Sequence, residues 1–412
     1  MGAKSPINGF SFTPTAHLDG RNPKWSATQV NPANELPQRR RRASPLARIE
    51  GQATDPLVIL TDGLADVRSF QAAAFAPSTR RGWATEWATF ETWCNTNGHQ
   101  ALPAKPIVVA MYLARAAKMV DANTEQLYAP GTLQCWLSSI NKAHEMRGFP
   151  KPGEDPELKL MMRGIARETT RKRVQKDPLL LDPLRQVLSA MDLQSPAHGP
   201  ISRRDWVMLV FGFVGAYRRS ELASLNIGDV TRHETDGLHV MLRRGKTDQA
   251  GKGFLKALPY AKNPLTCAPC AFTSWIRLLA IPADDVGARS SMLQFSCGEK
   301  HICRERLPEL HLLDPEAPLL RPVMKSGNIT DRRISGNVVN DVVQRRMRAA
   351  GLDSSNFGAH SLRAGFVTQS FREGATHHEI MRQTGHRNSS TVEIYAREHN
   401  PLMSNSVVKL FL

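Results

Sequence analysis

The sequence predicts a mainly α-helical protein with one small β-hairpin, arranged as a helical bundle followed by a larger α+β unit. Three observations carry this reading. Apolar residues recur at helical spacing from Ser78 onward, one pair of β-patterned segments flanks the glycine-rich loop Gly245 to Gly253, and residues 1–60 show no sustained apolar period. A chain of 412 residues with 41% hydrophobic content is long enough for two or three cores, which excludes disorder throughout.

Residues 1–60 are rich in Pro, Asn, Ser and Arg and contain "QRRRRAS", Gln38 to Ser44, so they read as a disordered basic arm. Those arginines either hold phosphates or form a solvated charge run. From Ser78 the pattern changes. Trp83, Trp87, Phe90 and Cys94 fall on one helical face, and Gly98 lies just past the end. A second helix is expected within 103–120, opening near Pro106, a third over 129–148 and a fourth over 155–173. Short Pro/Gly connections make these a bundle, spanning 61–176. At its end Arg167, Arg171, Lys172, Arg173 and Lys176 outlast the apolar pattern, as an exposed linker beside a polyanion would.

The second unit, 177–412, is expected to carry a helix over 205–225, "DWVMLVFGFVGAYRRSELASL", buried nearly all round until its polar end. "LHVMLRRGK" and "FLKALPY" read as two strands. Helices follow at about 263–280, 330–350, 361–373, 376–384 and 389–397, while 283–318 matches no period and reads as an inserted loop. No internal repeat is visible.

Lysine and arginine outnumber acidic residues 54 to 38, a net charge of +16, so the expected large partner is a polyanion, nucleic acid before an anionic membrane. No apolar run approaches the roughly 18 residues of a membrane span, and the N-terminus lacks the order of a signal peptide, so a soluble cytoplasmic protein is expected. Six cysteines do not make a disulfide framework. Cys267 and Cys270, with Cys297, His301 and Cys303, could supply zinc ligands. The spacing of the second pair is irregular, which favours small apolar residues at a helix start, and no metal site is assigned.

The second unit also holds a set of chemically active side chains. Arg218 lies in "YRRSEL", Lys246 at the hairpin tip, His360 and Arg363 in "HSLRAG", His386 in "TGHR", and Tyr395 on the next short helix. His360 and Arg363, at i and i+3, share one helical face, as two groups gripping one phosphate must. Together the set supplies a nucleophile, cations and a proton donor, the parts that metal-free phosphodiester chemistry needs.

Arg-x-Ser-Glu-Leu, a hairpin lysine, His-x-x-Arg, Gly-His and a following tyrosine form an ordered set that resembles the signature of the tyrosine recombinases, the phage integrase family. "STRRGWATEWATFETWCNTNG" and "PGEDPELKLMMRGIARE" resemble the core-binding domain of its Cre-like members, and the resemblance covers roughly residues 60–412. The family pattern has Gly-x-Arg where this chain has "GAYRR"; counting three back from Glu221 selects Arg218.

The resemblance implies a two-domain clamp on duplex DNA with a catalytic second domain. By position, Tyr395 would attack the scissile phosphate to give a 3'-phosphotyrosine. Arg218 and Arg363 would hold its non-bridging oxygens, Lys246 would protonate the leaving 5' oxygen, His360 would take the tyrosine proton or brace the phosphate, and His386 would donate to it. The expected DNA contacts are Arg80, Arg81, Arg167, Arg171, Lys172, Arg173, Lys176, Arg219, Arg243 and Arg244. The resemblance further implies inverted-repeat sites, a homotetramer that works through a Holliday junction, no cofactor, and a bacterial, phage or mobile-element origin. The apolar tail Val407 to Leu412 suits docking into a neighbouring subunit. A strand transferase of the type IB topoisomerase or hairpin-forming kind, and a catalytically silent DNA-binding regulator, are the alternatives.

Overall fold

A computed structural model describes residues 67, 69–70, 73–121, 126–169, 176–243, 253–282, 284–294 and 298–397, the side chains of 394–397 excepted. The basic arm, Arg171, Lys172, Arg173, Arg244, Lys246, Cys297 and the C-terminal tail lie outside the described residues. The chain divides into two compact units, Met1–Arg171 and Lys172–Leu412.

The first unit is built on α1 (Pro77–Thr96), α2 (Pro106–Ala117), α3 (Pro130–Met146) and α4 (Pro156–Glu168). Each opens on a proline, whose fixed φ suits the first helical turn and whose missing N–H is not needed there. Asp155 caps α4 by accepting from the amides of Glu157 and Leu158. Gly98 and Gly148 carry the left-handed turns that follow α1 and α3. The inward stripes meet in one core that includes Phe90, Val109, Leu113, Leu133, Ile140 and Leu158. A two-residue hairpin, β1 (Val120–Asp121) with β2 (Gln126–Leu127), is too short to leave a sequence signal.

The second unit contains α5 (Leu181–Ser189), α6 (Gly199–Val214), α7 (Arg219–Ser224), β3 (Val230–His233), β4 (Gly237–Leu242), β5 (Phe254–Pro259), α8 (Ala268–Leu279), α9 (Val286–Gln294), α10 (Gly336–Ala349), α11 (Ala359–Arg372), α12 (His377–Thr384) and α13 (Ser389–Arg397). Its sheet is antiparallel in the order β3-β4-β5, with Val240 opposite Lys256 and Leu238 opposite Leu258. The fold class is therefore the expected one, mainly helical with a small sheet.

Three expectations are corrected. The single helix over 205–225 is two, because the chain turns between α6 and α7, where Ala216 takes the left-handed φ of +46°. α6 also begins earlier, at Gly199, and buries the charged run Arg203-Arg204-Asp205. Asp205 is fully buried and binds three guanidiniums: Arg204 at 2.7 Å, Arg345 at 2.7 Å and Arg346 at 2.8 Å. Arg203 donates to the carbonyls of Leu193, Met292 and Leu293. Second, the sheet has a third strand, β3, whose sequence "VTRH" is too short and polar to stand out. Third, 283–318 is no bare insertion: it carries α9 and a 3-10 turn, Pro308–Leu312, and sends Leu293, Cys303 and Leu307 into the core.

Candidate active site

The candidate site is organised around Arg363, which lies on α11 and is 1% exposed. α11 can seat it because Gly365 lets the helix press on the backbone of Leu179, where an added Cβ would lie 1.8 Å from the Leu179 carbonyl oxygen. The guanidinium is tied down on several sides. Nη1 donates to the carbonyl of Ala216 at 2.6 Å, and Nη2 donates to the carbonyl of Thr384 and to Nε2 of His386, both at 2.9 Å. The left-handed turn at Ala216 thus turns a backbone acceptor onto Arg363, at the place where the family's Gly-x-Arg pattern has its glycine. The turn also resolves the spacing of "GAYRR": Ala216, not Gly215, takes the left-handed position two residues before Arg218.

Arg218 follows as the N-cap of α7, and its own neighbour orients it. Glu221, buried three residues later, accepts from the Arg218 amide at 2.9 Å and from Nη1 at 2.5 Å. His386 arrives through Gly385, the C-cap of α12, whose φ of +69° turns the chain back. The hydroxyl of Thr384 donates to the carbonyl of Ile380, so it accepts from Nδ1 of His386 at 2.8 Å, and Nε2 is left to accept from Arg363. Burial, then the charges of Arg363, Arg218 and Lys256, hold the imidazole down at about 3. The ring is neutral, and its Nε2 accepts where the sequence reading gave it a donor's part. His360 is exposed on the first turn of α11, close enough to His386 to act on its charge.

One member of the cluster escaped the sequence reading. Lys256 on β5 is 1% exposed and donates to the carbonyls of Gly215 and Gln383, both at 2.6 Å, with its ammonium 4.8 Å from the centre of the buried Tyr217 ring. Burial first, then the charge of Arg363, lowers its pKa to about 7. It thereby fastens β5 to the ends of α6 and α12, the segments that deliver Arg218 and His386. Strand parity could have found it: Lys256 is in phase with Leu258, which faces inward.

The structure gathers Arg218, Arg363 and His386 about one point, with His360 at its edge. Lys246 lies outside the described residues, and Tyr395 is placed by its backbone alone, on α13. α13 packs on α11 and α12, and Val392 anchors it against Val367 and Ile380. Of the expected DNA contacts, Arg80, Arg81, Arg167 and Lys176 are exposed. Lys176 donates to the Ser355 carbonyl at 2.7 Å, and Arg219 to Asn337 at 3.0 Å. Arg243 is taken up by two carboxylates, Asp229 at 2.5 Å and Glu316 at 2.7 Å.

Comparison with known proteins bears on this cluster directly. The model of the phage integrase family matches residues 320–400, the segment that carries His360, Arg363, His386 and Tyr395. An integrase/recombinase XerD homologue of Selenomonas ruminantium is 26% identical over 339 residues, 82% of this chain and 86% of its own. Residues 320–400 thus carry a phage integrase family domain. The chain is also similar to the Cre recombinase of Escherichia phage P1, with 22% identity over 79% of this chain and 85% of that protein. Among solved structures, the Tn1549 transposon integrase bound to transposon right-end DNA shares 13% identity, covers 78% of this chain and 89% of its own, and gives a TM-score of 0.47. No described helix is long and apolar enough to cross a membrane.

Proposed function

We propose that the chain is a site-specific DNA recombinase that cuts and rejoins strands through a 3'-phosphotyrosine on Tyr395. The observation that supports this most is the convergence of Arg218, Arg363 and a neutral His386 in one buried-to-exposed cluster, of which Arg363 and His386 lie in the segment that the family model matches. Two guanidiniums oriented before the substrate arrives can share the charge that builds on a phosphorane, with little reorganisation. Their orientation is set by groups that accept and cannot compete as cations: Glu221 for Arg218, and the Ala216 and Thr384 carbonyls with His386 for Arg363.

In this reading His386 is a positioning residue that aims Arg363. Arg218 and Arg363 hold the phosphate, His360 takes the tyrosine proton or braces the phosphate, Lys246 protonates the departing 5' oxygen, and Tyr395 attacks from α13. A phenol with an ordinary pKa near 10 is mostly protonated at pH 7, so the neighbouring cations lower the cost of its ionisation during attack. The phosphodiester energy is kept in the phosphotyrosine, and the freed 5' hydroxyl of another strand can reverse the step.

The net charge of +16 and the exposed Arg80, Arg81, Arg167 and Lys176 support a duplex held from both units through its phosphates. Inverted-repeat sites, a homotetramer on two synapsed duplexes, exchange through a four-way junction and a cytoplasmic location complete the proposal. The test is to select preferred DNA from a random pool and then supply that site nicked beside the cleavage position. The reading expects a protein–DNA complex that survives SDS. A protein that binds the selected DNA but never becomes attached to it would be a regulator instead.

A further inference from the structure

Far along the second unit from the arginine motifs in sequence, a group of soft ligands comes together that recombinase chemistry does not use. Cys267 and Cys270 lie at the start of α8, and His301 and Cys303 in the segment after α9. Their ligand atoms all lie within 4.8 Å of one another. Sγ of Cys267 is 3.9 Å from Sγ of Cys303, and Nδ1 of His301 is 3.3 Å from Sγ of Cys270 and 3.7 Å from Sγ of Cys303. A zinc tetrahedron with Zn–S near 2.3 Å and Zn–N near 2.1 Å has S–S edges of about 3.8 Å and S–N edges of about 3.5 Å. These three separations match those edges to within a few tenths of an ångström, and all six lie within 4.8 Å.

We propose that Cys267, Cys270, His301 and Cys303 form a structural zinc site. The reading as ordinary core cysteines accounts for three buried thiols but not for the histidine. His301 is exposed, as a residue with no packing duty would be, yet its Nδ1 is held beside two of the sulfurs. Its Nε2 donates to the carbonyl of Lys262 at 3.1 Å, which leaves the lone pair of Nδ1 pointing at the cysteines. A backbone carbonyl on the far nitrogen is the usual outer partner of a zinc-binding imidazole, because it fixes both tautomer and ring angle. The sulfurs are served in the same way. The amides of Ala261 and Ile302 donate to Cys267 and Cys270, respectively, as amides do to thiolates.

Four protein ligands leave no open position, so the ion would hold structure and not take part in a reaction. It would clamp the start of α8 to a segment more than thirty residues away in sequence, as the 36-residue separation of Cys267 and Cys303 shows. That clamp would fasten residues 298–303 to the second unit's core. A disulfide is the competing use of these thiols, but it joins only two of three sulfurs and gives His301 no partner. The inference stands apart from the recombinase reading, since metal content is measured without DNA.

The experiment uses the full chain, purified without chelator. The expected result is one zinc per chain by elemental mass spectrometry. After stripping, cobalt(II) should restore the ion, with the visible bands of a tetrahedral site and thiolate-to-cobalt charge transfer in the near ultraviolet. His301→Cys should retain cobalt with stronger charge transfer, because the set becomes four sulfurs. Cys303→Ser should bind it at least tenfold more weakly. Stripped wild-type protein that folds but yields no tetrahedral cobalt spectrum would overturn the proposal. So would a disulfide among these cysteines in freshly purified protein. The wild-type stripping and reloading keeps the test valid if a variant does not fold.

Discussion

Replacing Lys256 with methionine tests the architecture beneath the two arginines. Methionine keeps much of the side-chain volume but cannot donate to the Gly215 and Gln383 carbonyls, each of which now accepts from the ammonium at 2.6 Å. A general loss of stability would say little, since any core variant can cause it. The pH dependence is specific. The folded pKa of Lys256 is about 7, below the value of 10.5 that the unfolded chain shows. Between those values the unfolded chain binds a proton that the folded protein has released, so stability rises with pH through this window and is lowest at and below pH 7. Between pH 7 and 8.5 the folded lysine goes from half protonated to nearly neutral, and the integrated gain is about 1.5 kcal/mol. Urea unfolding at the two pH values, followed by hydrogen exchange of α6 peptides, reads the second unit alone. Wild type should gain about 1.5 kcal/mol more than Lys256→Met, a shift of about 0.5 M or more in urea midpoint. Equal gains in both proteins would refute the argument, because other titrating groups cancel in the comparison.

Further outcomes follow from the same geometry. Gly365→Ala should lower the second unit's stability by about 3 kcal/mol, since the added methyl would meet the Leu179 backbone and not a movable side chain; a loss below about 1 kcal/mol in urea unfolding would show that α11 can shift. Asp205→Ala should cost about 3–5 kcal/mol by leaving Arg204 and Arg346 buried without their shared carboxylate. Thermal or urea unfolding of that variant near wild-type values would contradict this. His386 sits at about 3, below its ordinary 6.5, so the stability it contributes is complete above pH 6.5 and is lost as the pH falls toward 3. At pH 5 the loss should be about 1 kcal/mol after allowance for solvent screening, and it should be absent from His386→Phe, as urea titrations at pH 5 and 7.5 would show.

Much of this molecule is legible in its sequence where one physical rule acts alone. The Trp83–Cys94 stripe, the prolines that open α1 to α4 and the glycines that follow α1 and α3 fix the bundle, because helical period and backbone stereochemistry leave few alternatives. Arg218, Arg363 and His386 could be named because they lie in short ordered motifs. The failures occur where tertiary contacts override local appearance. Arg203-Arg204, ahead of the helix start expected at Asp205, is part of α6, and this charged run is buried with Asp205 meeting guanidiniums from α10, far along the chain. The break between α6 and α7 has no glycine to announce it at Ala216; what holds the turn is its carbonyl bond to Arg363. Lys256 looks like any strand lysine until its parity with Leu258 is counted. In the same way, Cys267 and Cys270 have a common ligand spacing, but His301 and Cys303 do not, and the fold, not the local sequence, brings the two pairs together.

The central claim is that Tyr395 becomes covalently joined to DNA. The most direct measurement is tryptic mass spectrometry of the adduct trapped on a nicked site, after nuclease digestion of the DNA. The account predicts a nucleotide mass on the peptide containing Tyr395 and no adduct from Tyr395→Phe, which should still bind the same DNA. An adduct on any other residue, or one that persists in Tyr395→Phe, would contradict it.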